Sequence, residues 1–85
     1  MSYRVAFERR AEKEFLRLPL EIRERIARKI LDLKEGRFEG DKPLQGKHKG
    51  KYRKRAGDYR IVYWRKKELL LITVIRIAHR KEVYH

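Results

Sequence analysis

The chain predicts a small α+β domain in which a helix hairpin packs on one face of a mainly antiparallel sheet. Three observations carry that expectation: apolar residues recur at helical spacing in the first third, three later segments are dense in β-branched and aromatic residues, and a glycine-rich loop divides the two regions. With 85 residues there is room for one core and not for two, so a single domain over 1–85 is expected.

Tyr3 to Phe7 alternates aromatic or apolar with polar side chains and reads as a short strand. From Glu8, the positions Ala11, Phe15 and Leu18 share one helical face, and this helix must stop before Pro19, whose ring and missing N–H disrupt a helix interior. The same proline suits the opening of a second helix, where that N–H would have no partner anyway. Ile22, Ile26, Ile30 and Leu33 then form a buried stripe, widened by Ala27 and Leu31 and closed near Gly36. Gly36 to Gly50 contains four of the five glycines and Pro43, which makes it the main loop, with Leu44 as its expected anchor on the core.

Strands are expected at Lys51 to Ala56, Tyr59 to Trp64 and Glu68 to Ile77. Gly57-Asp58 and Lys66-Lys67 supply compact turns, so the three are antiparallel neighbours. In the last of them Leu69, Leu71, Ile75 and Ile77 fall on one face and Leu70, Ile72 and Val74 on the other, as in a central strand. The resulting order, β-α-α-β-β-β, leaves one sheet face for the helices and the other for a ligand or partner.

Charge bears most directly on function. The net charge is +13, but residues 8–35 contribute only +2 of it, as a solvated helical surface carrying both signs would. The rest is concentrated: Gly46 to Arg55 reads GKHKGKYRKR, and no acidic residue occurs from Lys42 through Gly57. Neutralising phosphates with such a surface releases condensed counterions, which points to RNA or DNA as partner. Lys47, Lys49, Lys51 and Lys54 are the expected phosphate contacts, and the interleaved Tyr52, Tyr59, Tyr63 and Trp64 are candidate stacking platforms for bases.

Several classes are excluded. There is no cysteine, hence no disulfide or thiolate metal site. The longest apolar run, Leu69 to Ile75, is far shorter than a membrane span, and no signal-peptide core follows the basic N-terminus, so a cytoplasmic protein without membrane contact is expected. No phosphate-binding glycine loop and no metal-ligand spacing occur, and the basic region lacks paired carboxylates. No cofactor is expected, and phosphodiester cleavage by this chain would be metal-free.

Arg53, Arg55, Arg60 and Arg80 would converge if the strands pair as proposed, either as a phosphate-binding group or as solvated charges that keep a sheet edge from aggregating. Tyr84 lies in the basic tail HRKEVYH, where neighbouring cations would favour its phenolate; a ring folded onto the core is the competing role. Among the histidines, His79 beside Arg80 is the best placed to transfer a proton, ahead of His48 and His85.

YRKRAGDYRIVY (Tyr52 to Tyr63), VIRIAHRKEVYH (Val74 to His85) and the N-terminal YRVAFERRAEKEFLRLP together resemble the RelE branch of the RelE/ParE toxin superfamily over nearly the whole chain. The resemblance implies a RelE-like fold and the toxin of a type II toxin-antitoxin system: a ribosome-dependent endoribonuclease that cleaves mRNA in the ribosomal A site and is neutralised by a cognate antitoxin. It places the family's functional positions on Arg53, Arg55, Arg60, Arg80 and Tyr84. Several members have lysines where this chain has Arg53 and Arg55, and arginine, which stays protonated, can stabilise charge there but not act as a base. In the chemistry so implied, Arg60 stabilises the phosphate, Tyr84 accepts the 2′-hydroxyl proton, and Arg80 or His79 serves the leaving group. A ParE-like toxin acting on DNA gyrase and a non-catalytic basic RNA-binding module are the alternative readings.

Overall fold

The computed structural model describes residues 2–82 and, at His48, the backbone only. Tyr84 and His85 lie outside the described residues. The elements are β1 (Arg4–Phe7), α1 (Arg9–Leu16), α2 (Leu20–Lys34), β2 (Lys42–Pro43), β3 (Lys51–Ala56), β4 (Tyr59–Lys66) and β5 (Leu71–His79), with 3-10 turns at Gly46–His48 and Lys67–Leu69. They form one sheet of order β1-β5-β4-β3-β2, in which β1 runs parallel to β5 and the other pairs are antiparallel. The architecture is the expected α+β arrangement of two helices on a mainly antiparallel sheet, with the two-residue β2 added at one edge.

Pro19 separates the helices as anticipated, and its carbonyl accepts the Arg23 N–H at 2.9 Å to open α2. The apolar stripe of α2 buries Ile26 and Leu33 completely against Ile61, Tyr63, Ile72, Val74 and Ile77 of the sheet, and α1 adds Ala11. Full burial of each such aliphatic side chain stabilises the fold by roughly 1.5 to 3 kcal/mol. All of these sheet residues point to the helices, which leaves the opposite face uncovered by either one.

Two details depart from the sequence reading. The turn between β4 and β5 is not the two-residue Lys66-Lys67 hairpin: Lys67–Leu69 form a 3-10 turn and Leu70 closes it at φ 47°, so β5 begins at Leu71 and not at Glu68. A bulge then interrupts the β4–β5 ladder, with Tyr63 opposite Val74 but Val62 opposite Arg76, leaving Ile75 as the extra residue. The bulge resets the alternation, so Ile72, Val74 and Ile77 all reach the core, whereas a regular strand would have put Ile77 on the other face from Ile72. Beyond the end of β1 the exposed edge of β5 is closed by Glu14 of α1, which accepts the Ile77 N–H at 2.8 Å and binds Arg76 at 3.0 Å.

The loop after α2 is anchored by Phe38, which meets the rings of Tyr3 and Tyr63 at centroid distances of 5.4 and 6.2 Å. Leu44, the expected anchor, is tied instead through its backbone N–H to the Lys51 carbonyl at 2.9 Å. Asp41 completes the attachment: one carboxylate oxygen accepts from Lys54 Nζ at 2.9 Å and the other from the Tyr63 hydroxyl at 2.5 Å.

Candidate nucleic-acid interface

Strand alternation decides which cations can meet a ligand. Tyr52, Lys54 and Ala56 of β3 turn toward the helices, so Lys51, Arg53 and Arg55 turn away from them. On β4, Tyr59, Ile61 and Tyr63 turn toward the core and Arg60, Val62 and Trp64 away. The register sets Arg55 opposite Arg60, Arg53 opposite Val62 and Lys51 opposite Trp64, while β2 adds Lys42 opposite Arg53. Among the described residues, Gly40, Lys42, Arg53, Arg55 and Arg60 line a depression of about 340 Å³ on this face, four of them cations and none a carboxylate.

Arg80 joins the group from the end of β5. Its backbone N–H donates to the Asp58 carbonyl at 2.8 Å, fixing it beside the β3–β4 turn. Partial burial lowers the Arg60 pKa from its ordinary value, and repulsion from Arg53, Arg55 and Arg80 lowers it further. Arginine is still a cation at neutral pH. The result is a set of fixed positive charges suited to an anion with several oxygens, and to charge that grows on phosphoryl oxygens during a reaction.

Not every residue selected from the sequence reaches this face. Lys54 does not: it is 5% exposed, and its ammonium lies between Asp41 and the Arg37 carbonyl, 3.0 Å from the latter. It is therefore a core cation and not a phosphate contact, because its place between Arg53 and Arg55 in the strand turns it to the opposite side. His79 pairs with Tyr59 on β4, its ring 5.4 Å from the Tyr59 ring, and its Nδ1 accepts the Lys81 N–H; it is Ala78 that pairs with Arg60. Lys47 and Lys49 are exposed on and just after the Gly46–His48 turn.

Sequence reasoning missed Lys42 and Asp41. Lys42 belongs to the acid-free segment, but only the two-residue β2 pairing brings it to the arginines. Asp41 was hidden because its partners Lys54 and Tyr63 are 13 and 22 residues away. Burial and the hydrogen bond to Asp41 push the Tyr63 hydroxyl pKa well above its ordinary value, so this phenol is a fixed donor and not a proton acceptor. Among the described residues no three His, Cys, Asp or Glu side chains group as metal ligands, and no helix is long and apolar enough to cross a membrane.

Comparison with known proteins agrees with this geometry. A family model described as the ParE toxin of the type II toxin-antitoxin system, parDE, matches residues 5–84. The chain is similar to the Mycobacterium tuberculosis RelBE2 toxin-antitoxin complex at a TM-score of 0.85 and 27% identity, covering 94% of this chain and 100% of that one. It is similar to a mutant of the E. coli toxin RelE in the free state at 0.77 and 30% identity, covering 98% and 88%. For the archaeal RelE-RelB complex from Pyrococcus horikoshii the values are 0.70 and 26%, covering 98% and 100%. No curated protein matches the chain.

Proposed function

The chain belongs to the RelE/ParE superfamily of type II toxin-antitoxin toxins, in its RelE-like branch, and we propose that it is a metal-free endoribonuclease that cleaves mRNA in the ribosomal A site. The observation that carries this reading is the placement of Arg60 among Arg53, Arg55 and Arg80 on a sheet face free of helices. In the reaction a ribose 2′-oxygen bonds to the adjacent phosphorus as the bond from phosphorus to the 5′-oxygen breaks. The products are a 2′,3′-cyclic phosphate and a 5′-hydroxyl. Negative charge rises on the non-bridging oxygens along the way, and Arg60 stabilises it where it develops, with Arg53 and Arg55 holding the flanking phosphates. Tyr84, whose assignment rests on the family resemblance, accepts the 2′-hydroxyl proton. Arg80, beside Arg60, stabilises the negative charge on the departing 5′-oxygen, which takes up a proton from solvent water to become the 5′-hydroxyl; His79 pairs with Tyr59, away from Arg60.

A cognate antitoxin is the protein partner, by analogy with relatives solved as toxin-antitoxin complexes, and the cytoplasm, where translation occurs, is the place of action. The description of the matching family model favours a second reading, a ParE-like toxin that binds DNA gyrase. Incubation with programmed ribosomes separates the two. New mRNA ends at the A-site codon, with gyrase supercoiling unaffected, support cleavage; inhibited gyrase with intact mRNA supports the second reading. Cleavage of naked RNA at an equal rate would remove the ribosome from the account.

A further inference from the structure

We propose that Trp64, braced by Gly50 and Lys51, is a stacking platform for one base of the RNA strand whose phosphate lies at Arg60; the inference rests on the RNA-cleavage reading above. Of the four aromatics interleaved with the basic residues, three are committed to the core side. Tyr63 is fully buried with its hydroxyl on Asp41, Tyr52 stacks on Tyr63 at 5.8 Å, and Tyr59 packs against the core and His79. Trp64 alternates with Ile61 and Tyr63 onto the other face and is, among the described residues, the aromatic that shares the side of Arg53, Arg55 and Arg60.

The indole is held, not loose. Gly50, at φ +93°, lies so close to it that a Cβ there would stand 2.8 Å from Trp64 Cζ3. Lys51 Nζ sits 5.5 Å from the ring centroid, a cation placed to meet the phosphate of a stacked nucleotide. Trp64 is nevertheless only partly buried, although it is large and apolar. Such a rigid, partly open π-surface next to a cation is what base stacking uses, and every base offers a π-face.

Spacing fits one continuous strand. Trp64 is four residues from Arg60 along β4, or ~13 Å at ~3.3 Å per residue. Stacked nucleotides rise ~3.4 Å each, so the platform lies at most about four nucleotides from the phosphate at Arg60, and fewer if the strand is extended.

Trp64 is the sole tryptophan, so its fluorescence reports on this position alone. A 5′-labelled 2′-O-methyl hexanucleotide, which cannot be cleaved, is titrated into the whole protein at low salt while label anisotropy and tryptophan emission are followed. Quenching that saturates together with the anisotropy supports the platform. Binding without quenching, or no binding, overturns it. On programmed ribosomes, Trp64→Ala should raise the toxin concentration for half-maximal cleavage roughly 5- to 150-fold, the range for loss of one base stack, while Trp64→Phe stays near wild type. Equal half-saturation for wild type and Trp64→Ala overturns the platform but leaves mRNA cleavage standing; absence of cleavage by the wild type overturns both.

Discussion

Arg60 stands directly opposite Arg55 in the β3–β4 ladder, on the sheet face that neither helix covers. Like charges directly opposite one another weaken a sheet. The Arg60 pKa, lowered first by burial and then by Arg53, Arg55 and Arg80, carries the same sign: its charged form is disfavoured by folding, so the cost persists at every pH below that lowered value and is relieved only in strong alkali, and Arg55 contributes one part of it. Arg55→Gln should therefore raise the melting temperature, by roughly 1 to 4 °C at low salt. The gain should shrink as salt screens the pair. A lower melting temperature in the variant would show that the pair is compensated.

Lys54 and its exposed neighbours should separate cleanly by experiment. Removing one member of a buried ion pair strands the other, so Lys54→Ala should cost about 3 to 5 kcal/mol in urea unfolding. Lys49→Ala, on an exposed side chain, should stay within about 0.5 kcal/mol of wild type. Equal stability of the two variants would mean that the bond between Lys54 and Asp41 does not hold the loop.

Tyr63 predicts an alkaline limit. Its raised pKa, caused by burial and then by Asp41, means that the stability it contributes is complete below the ordinary phenol value of 10.0 and is lost as pH rises beyond it. Tyr63→Phe should destabilise the fold at neutral pH by about 1 to 3 kcal/mol, because Asp41 loses a donor. The decline above pH ~10 should be shallower than in wild type. Parallel stability curves for the two proteins would contradict this role.

Much of the fold was legible because local pattern and tertiary packing agree. The alternation of β3 and the stripe of α2 lead to the observed elements directly, and the boundaries of β3 fall where the sequence put them. The bulge at Val62/Tyr63 was not legible, since Ile75 is as apolar as its neighbours and nothing local marks it as the extra residue. Alternation also separates Lys54 from Arg53 and Arg55, but composition groups all of them as basic; only the distant Asp41 makes Lys54 a core residue. The arginine cluster was readable from strand pairing, whereas Lys42 required β2, a pairing too short to leave a periodic signal.

Lys47, Lys49 and Lys51 belong to the acid-free segment and remain outside the core. Reversing all three to Glu should weaken ribosome or RNA binding and flatten its salt dependence by about one unit of slope for each lost phosphate contact. The single-turnover rate at saturation should change far less than the affinity. Unchanged affinity and slope would place the nucleic acid elsewhere on the surface.

The central claim is that Arg60 stabilises the transition state of mRNA cleavage, and single-turnover cleavage on programmed ribosomes with Arg60→Ala tests it most directly. Loss of one such charge stabiliser costs about 2.7 to 4 kcal/mol, so the rate at saturating toxin should fall by at least about a hundredfold while ribosome binding persists. An Arg60→Ala variant that binds the ribosome and cleaves at the wild-type rate would contradict the account.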